Sequence, residues 1–481
     1  VFLIFRRLFN RLNSKNIIFA LKVLLYPCKE EQLDKLEVMN EHPFTYVDLF
    51  AGIGGFHAVL QALGGQCVFA SEIDSSASSV YELNWGINPL GDITKDANDN
   101  TMNVPKHDVL VGGFPCQPFS KSGSQRGMDE TRGTLYWNIL KIIDSRKPAL
   151  VLLENVRNLA GPRHLHEWNL IIQTLRQAGY RVSEFPWILS PHLLPPKFGG
   201  RPQNRERVFI VAVRSPSKDK TVPEEFIPSR SVEGWLPTDW DIRRNLPLEF
   251  LNLDRSLRLS KQEDYWLKAW NDFLKRIRGA GKVLPGFPLW GDSWKEFDPG
   301  ELPVGTPTWK RQFLIQNSNF YLENREIIDP WAKKWNFYSD IFPSSRRKFE
   351  WQAGDAKTLE STLIHFRPSG IRVKRANYAP ALVAMTQTTI VYKKRRRLSV
   401  REVARLQGLP DWFDFGNQAD RISYKQLGNG VSIGAIWYIL KHSANVFENE
   451  LLRYCPNLLH AISHAPHNPD VLLNHRRIKR K

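Results

Sequence analysis

The chain has 481 residues, with 67 lysines and arginines against 49 aspartates and glutamates and a formal charge of +18. That length allows two or three domains with a sizeable core, and the excess of cations favours a polyanionic partner, because lysine and arginine displace counterions from phosphates. The four cysteines, Cys28, Cys67, Cys116 and Cys455, are widely spaced and form no CxxC pair, which argues against a structural zinc site and a disulfide framework and fits a reducing compartment.

Residues 1–43 read as an extension of uncertain structure. Their apolar run Ile17-Ile18-Phe19-Ala20-Leu21 is interrupted by Lys22, and no small-residue cleavage pattern follows. The stretch is too short and too charged to span a membrane, and is read as a variable extension or a misplaced translation start. From Thr45 to about Arg214, apolar runs alternate with helical patterns. Strands are predicted at Tyr46–Phe50, Cys67–Ser71, Val109–Val111, Leu150–Leu153 and Val208–Val213, and helices at His57–Leu63, Thr134–Asp144 and Trp168–Gln177. This alternation implies right-handed crossovers and a mostly parallel sheet covered on both faces. Over 215–366 the alternation stops, and ten of the sixteen tryptophans fall between Trp235 and Trp351. One helix stands out there: Ser260 and Glu263 make a capping box, Trp266, Leu267, Trp270, Phe273, Leu274 and Ile277 share a face, and Gly279 closes it. That face reads as the core of a separate, smaller domain. Residues 367–445 return to the first pattern, with helices at Ser399–Gln407 and Ile433–Lys441. Residues 446–481 read as a basic tail whose end, His475–Lys481, frays.

Three segments suit a cofactor. Asp48-Leu49-Phe50-Ala51-Gly52-Ile53-Gly54-Gly55 follows a strand and opens a helix, where glycines allow close approach to a helix N-terminus. Ser71-Glu72-Ile73-Asp74 ends the next strand with an acid able to accept from ribose hydroxyls, and Gly91-Asp92-Ile93-Thr94 lies at a further strand-end loop. A glycine-rich loop alone is usually only a turn. The three in order point to an adenosine-containing cofactor, without selecting a dinucleotide over S-adenosylmethionine. No Gly-Lys-Ser/Thr follows, so the loop is not a P-loop. The run Gly112-Gly113-Phe114-Pro115-Cys116-Gln117-Pro118-Phe119-Ser120 then places a cysteine in a loop at a strand end. Most cysteines are inert and buried, but this one is framed by residues that fix a loop backbone.

The loop resembles the Pro-Cys loop of the cytosine-C5 DNA methyltransferases. The family's other blocks follow in its usual order: Glu154-Asn155-Val156, Gln203-Asn204-Arg205-Glu206-Arg207, Arg401-Glu402-x-x-Arg405-Leu406-Gln407-Gly408 and Gln426-Leu427-Gly428-Asn429. The resemblance covers Thr45–Arg214 and Arg367–Leu440. It implies an α/β, Rossmann-like S-adenosylmethionine-dependent methyltransferase domain (44–214 and 367–445) with a smaller target-recognition domain (215–366) inserted near its C-terminal part. Carbon 5 of cytosine is a weak nucleophile until a thiolate adds to carbon 6, and the resemblance gives that thiolate to Cys116. It also implies that Glu154 donates to N3, that Arg205 contacts O2 and helps hold the catalytic loop, and that Arg207 supports the site. Period-two geometry puts both arginines on one face. The implied cofactor residues are Phe50, Gly52, Gly54, Glu72, Ile73, Asp92, Pro115, Asn429 and Val431, with no metal. Gly430 stands where the family often has serine.

The implied partner is double-stranded DNA with the target base flipped out, and Ser120–Gly133, with Gly123, Gly127 and Gly133, is the segment expected to close over it. The run Lys393–Arg397 reads either as phosphate-binding or as a solvated charge run. The absence of chromatin-reading modules resembles the modification half of a bacterial restriction–modification system, cytoplasmic and monomeric, functionally paired with an endonuclease; an orphan enzyme fits equally. Competing readings are an RNA cytosine-C5 methyltransferase, an inactive DNA-binding homologue, a nicotinamide oxidoreductase sharing the glycine-rich loop, and a thiol hydrolase. The last lacks a motif histidine near Cys116.

Overall fold

The uninterrupted apolar runs Val109–Val111 and Leu150–Leu153 become the centre of a sheet buried on both faces, as expected where helices cover a sheet twice. The computed structural model describes residues 44–115, 134–248, 255–296, 305–382 and 388–475. The first sheet takes β1 (Thr45–Leu49), β2 (Gln66–Ser71), β3 (Val109–Gly113), β4 (Leu150–Val156), β5 (Tyr180–Val182) and β6 (Trp187–Leu189). It skips the two-residue β7 (Gln203–Asn204) and ends with β8 (Arg207–Arg214). The order is β2-β1-β3-β4-β8-β5, with β6 also on β8.

The sheet is less parallel than the alternation implies. β2, β1, β3 and β4 run parallel, whereas β8 is antiparallel to β4, β5 and β6. After β4 the chain crosses over through the helix Leu165–Gln177 to β5 and β6, which keep the direction of β4, and β8 then returns between β4 and these short strands in the opposite direction. β2 is laid on one side of β1 and β3 on the other, and this reversal of strand order opens a crevice at the carboxyl ends of β1 and β3.

Helices α1 (Gly55–Ala62), α2 (Ser75–Trp85), α3 (Ile93–Asp96), α4 (Leu135–Arg146) and α5 (Leu165–Gln177) lie between these strands. Asp74 caps α2 and Thr134 caps α4 through side-chain oxygens. Ile139, Ile143 and Ile171 bury against Leu110, Val151 and Ile210.

The aromatic segment makes a second core. The predicted capping box opens α6 (Lys261–Gly279), and the whole face from Trp266 to Ile277 is buried. α7 (Thr308–Lys334) packs alongside. Trp331 Nε1 donates to Ala269 O at 2.8 Å, and Trp270 stacks on Phe349 with centroids 4.5 Å apart. Both helices pack on a second sheet built from β9 (Leu289–Trp290), β10 (Lys348–Gln352), β11 (Thr362–Arg367) and β12 (Gly370–Arg375). Beyond β13 (Ala379–Pro380), which pairs with β7 instead, the sheet adds β14 (Ile390–Val391) and β15 (Arg396–Arg397). Its order is β15-β14-β11-β12-β10-β9.

Two expected boundaries move. The one at 366/367 falls inside the β11–β12 hairpin, whose six-pair register spans it, so the second sheet continues to Arg397. The first part of the return, 367–397, therefore belongs to the insert. Residues 446–475 are not a tail. After α8 (Val400–Gln407), α9 (Asp420–Asn429) and α10 (Ile433–Val446) come α11 (Glu448–Tyr454), α12 (Pro456–His464) and α13 (Asp470–His475). Glu450 pairs with Arg181 and Asp470 with Arg201, and Leu451, Leu458 and Ile462 are buried. The three arginines of the basic run are also spent internally: Arg395 pairs with Asp264, Arg396 with Glu402 and Arg397 with Glu263, while Lys393 and Lys394 are exposed. These three arginines hold protein carboxylates, not phosphates. Among the described residues, no helix is long and apolar enough to cross a membrane.

Candidate active site

The crevice at the strand ends is a cleft of about 480 Å³. Its first wall is the loop after β1. Phe50 sits at φ 53° and Gly54 at φ 90°. A Cβ on Gly54 would lie 2.1 Å from Trp85 Nε1, which itself donates to Ile53 O at 3.1 Å, so this turn admits only glycine. Glu72, at the end of β2, ties the wall down. One carboxylate oxygen accepts from Gly52 N and the other from Asp74 N, each at 2.8 Å. Each oxygen retains a second lone pair, and Glu72 lines the cleft, so its carboxylate has the acceptor capacity that two ribose hydroxyls require. Next to it Ile73 is 75% exposed and lines the cleft, an apolar plate with nothing packed over it. Asp92 caps α3, and Thr94 N and Oγ1 donate to its Oδ1, which holds its carboxyl below the usual range. An apolar plate, a paired acceptor and a further carboxylate along one cleft fit an adenosine-bearing cofactor.

The opposite end of the cleft is made by β3, β4 and β8. Glu154 is opposite Gly113 in the β3–β4 register and opposite Phe209 in β8. Gly113 carries no side chain to crowd it: a Cβ there would lie 3.5 Å from Glu154 Oε2. Glu154 is buried, and burial raises its pKa, with Arg207 and Arg205 opposing the rise. Arg207 Nε stands 2.8 Å from Glu154 Oε1, an ion-pair contact that is not aligned as a hydrogen bond. Pro115 is at the exposed rim of the same cleft. Cys116 follows it directly but lies outside the described residues, as do Ser120 through Gly133.

The model of the C-5 cytosine-specific DNA methylase family matches residues 44–445. The chain belongs to that family. It is a DNA (cytosine-5) methyltransferase. The type II methyltransferase M.AluI of Cellulosimicrobium cellulans is 47% identical over 478 residues, covering 83% of this chain and 91% of its own. The type II methyltransferase M.HhaI of Haemophilus parahaemolyticus is 28% identical, covering 82% and 92%. A crystal structure of the S. pombe Dnmt2 methyltransferase covers 85% of this chain and 99% of its own at 17% identity, with a TM-score of 0.45. The family takes its methyl group from S-adenosylmethionine.

In this methylase Arg205, the first arginine of the Gln-x-Arg-x-Arg block, does not sit as expected. Arg205 is 1% exposed, and its Nη2 donates to the carbonyls of Gly428, at 2.8 Å, and Gly430. Its backbone N–H is held by Ser190 Oγ, and burial lowers its pKa to about 9. Its guanidinium is committed to carbonyls of the last block, so a contact with cytosine O2 does not fit this position. Arg207 is the arginine that lines the cleft. Asn429 and Gly430 line it from the end of α9, while Val431 stands one layer back, against Gly55. Arg205 is therefore what holds Asn429 in place.

Three further contacts were not read from the sequence. Asn155 Nδ2 donates to Phe114 O at 2.8 Å and steadies the approach to Pro115; it lay unassigned inside the Glu154 block. Lys425 pairs with Asp74 at 3.3 Å across the cleft rim, one residue before the last block. Trp85, which seals Gly54, carried no local signal.

Proposed function

We propose that this methylase modifies one cytosine of a specific duplex sequence, as the modification partner of a type II restriction system. The relatives' description as type II methyltransferases supports that setting. The observation that carries the mechanism is Glu154, buried beside Arg207 at the head of the cleft and across from the strand that leads to Cys116.

The Cys116 thiolate adds to carbon 6 of a flipped-out cytosine and turns carbon 5 into an enamine-like nucleophile. Phe50, Glu72, Ile73, Asp92 and Asn429 would hold S-adenosylmethionine, which would supply the methyl group to carbon 5 from its sulfonium sulfur and leave as S-adenosylhomocysteine. Carbon 5 then loses its proton to a solvent base, the C5–C6 double bond re-forms, and the Cys116 thiolate leaves from carbon 6. During addition, negative charge builds on the ring. Burial favours the protonated Glu154 carboxyl, which can then donate at N3. Arg207 takes the role of aligning that carboxyl and donating toward O2. The second sheet domain serves to recognise the target.

The test is bisulfite sequencing of DNA from a methylation-free host expressing the wild type, Cys116→Ser or Glu154→Gln. Wild type should yield one methylated motif, Cys116→Ser none, and Glu154→Gln a rate about 10²- to 10⁴-fold lower. A Cys116→Ser protein that still methylates would sink the mechanism.

A further inference from the structure

The preceding reading says that sequence is recognised; the second sheet indicates by which side chain. Alternation sorts β11 and β12. Ile364, Phe366, Ile371 and Val373 join the aromatic core, which leaves His365, Arg367, Arg372 and Lys374 on the other face. Register puts Arg372 opposite His365 on one side and opposite Glu350 of β10 on the other. Two arginines therefore pair with one carboxylate, with the Lys374 ammonium in the same field.

Glu350 Oε2 accepts from Arg372 Nε at 2.9 Å and also takes Arg367 Nη2. Pinned by Nε, the Arg372 guanidinium is fixed in plane. Among the described residues its terminal nitrogens have no hydrogen-bond partner, and the side chain is 32% exposed. The local charge is not balanced. Burial and the Arg372 charge push the Lys374 ammonium below its ordinary range, and burial and the same cations push His365 down to about 3. An ion pair built for stability alone does not leave two half-buried cations over, whereas a polyanion laid across the face would neutralise them.

The face also adjoins the catalytic half. The Tyr378 ring packs 4.5 Å from His192, and Lys374 Nζ sits 5.3 Å over Tyr378. His192 lies within the fields of both Lys374 and Glu206, the residue before Arg207. Lys374, Tyr378 and His192 thus link the cationic face of the second sheet to the strand end that carries Glu206 and Arg207.

We propose that Arg372, aimed by Glu350, reads a guanine of the target site by donating its two terminal N–H groups to O6 and N7, with Arg367 and Lys374 beside it on phosphates. This is the pairing that a planar, pre-aimed guanidinium makes best in the major groove.

The experiment expresses wild type, Arg372→Ala and Arg372→Lys in a methylation-free host and maps methylated cytosines by bisulfite sequencing. Duplex binding is measured against salt for the purified full chains. Binding of S-adenosylhomocysteine, whose cleft is in the other domain, checks that each variant is folded. Both variants should methylate a motif degenerate at one G·C pair, with about 5- to 150-fold lost discrimination there. Arg372→Lys keeps the charge, so its salt slope should match the wild type. If both variants keep the wild-type motif, the assignment is overturned, including the case in which Arg372→Ala weakens all duplexes evenly and reduces the salt slope by about 0.9, the mark of a phosphate contact. A wild type that methylates nothing would instead defeat the reading on which this one rests.

Discussion

Replacing Glu402 by glutamine strips the charge from the ion pair through which the second sheet meets the returning catalytic chain. Arg396 of β15 and Glu402 of α8 are 5% and 0% exposed at their side chains. The pair is a fork: Arg396 Nη1 meets Oε2 and Nη2 meets Oε1, both at 2.7 Å. Oε2 also accepts from Ser399 N at 2.8 Å, closing the capping box of α8. Taking one charge from a buried pair leaves the other uncompensated, at about 3–5 kcal/mol. Glutamine still offers an acceptor to Ser399 N, so the cap itself contributes at most about 1 kcal/mol of the loss. Arg396→Met should cost a similar amount by leaving the carboxylate stranded. The double change Arg396→Met with Glu402→Leu removes both charges and forfeits mainly the cap, so about 1 kcal/mol is expected. Urea unfolding followed by tryptophan fluorescence measures all three, together with the wild type, as a double-mutant cycle. The single losses should exceed the double loss, far outside the ~0.5 kcal/mol within which independent sites add. Single costs below about 1 kcal/mol that simply sum would refute the claim that this pair locks the two parts of the chain.

Two more changes test the cofactor wall. Glu72→Gln keeps one carbonyl acceptor for the two N–H groups of Gly52 and Asp74; losing a charge-assisted bond at about 1.5–3 kcal/mol should weaken S-adenosylhomocysteine binding about 10- to 150-fold by calorimetry, and an unchanged Kd would discard the ribose role. Asp48 is fully buried behind the same loop, with Tyr81 donating to it at 3.4 Å, and burial raises its pKa well above the usual carboxylate range. A raised folded-state pKa means that its stabilising contribution is complete below the unfolded value near 3.9 and is lost as pH climbs through the folded value. Asp48→Asn cannot ionise, so its stability relative to wild type should improve from pH 4 toward neutrality. A difference flat in pH would contradict the burial argument.

The catalytic sheet was legible because its strands are continuous apolar runs and its chemistry sits at their ends in short, distinctive blocks. Phe50, Glu72, Ile73, Asp92, Pro115, Glu154, Arg207 and Asn429 line the one cleft. The order of depth within a block was not legible. Arg205 and Arg207 are two residues apart and chemically identical, and period-two geometry gives them one face without saying which is buried. Only the fold reveals that the carbonyls of Gly428 and Gly430, more than two hundred residues away, claim Arg205.

The insert failed to show its strands for a related reason. Its outer face alternates with arginine and lysine, and several strands are only two residues long, so neither an apolar run nor a turn signal marks Gly370–Arg375 as the continuation of the same sheet. Charge runs mislead in the same way. Read alone, Lys393–Arg397 suggests phosphate contacts or a solvated run, but its arginines meet Asp264, Glu263 and Glu402 only after folding. What separates those arginines from Arg372 is the count of acids within reach. Around β15 each arginine has its own carboxylate, and the charge is consumed. Around Glu350 two arginines share one carboxylate with Lys374 in the same field, and both arginines are partly exposed. A positive residue in a nucleic-acid enzyme is thus better judged by the carboxylates the fold brings to it than by its neighbours in sequence, and by that measure the arginine to test on DNA is Arg372 of β12, not Arg395, Arg396 or Arg397.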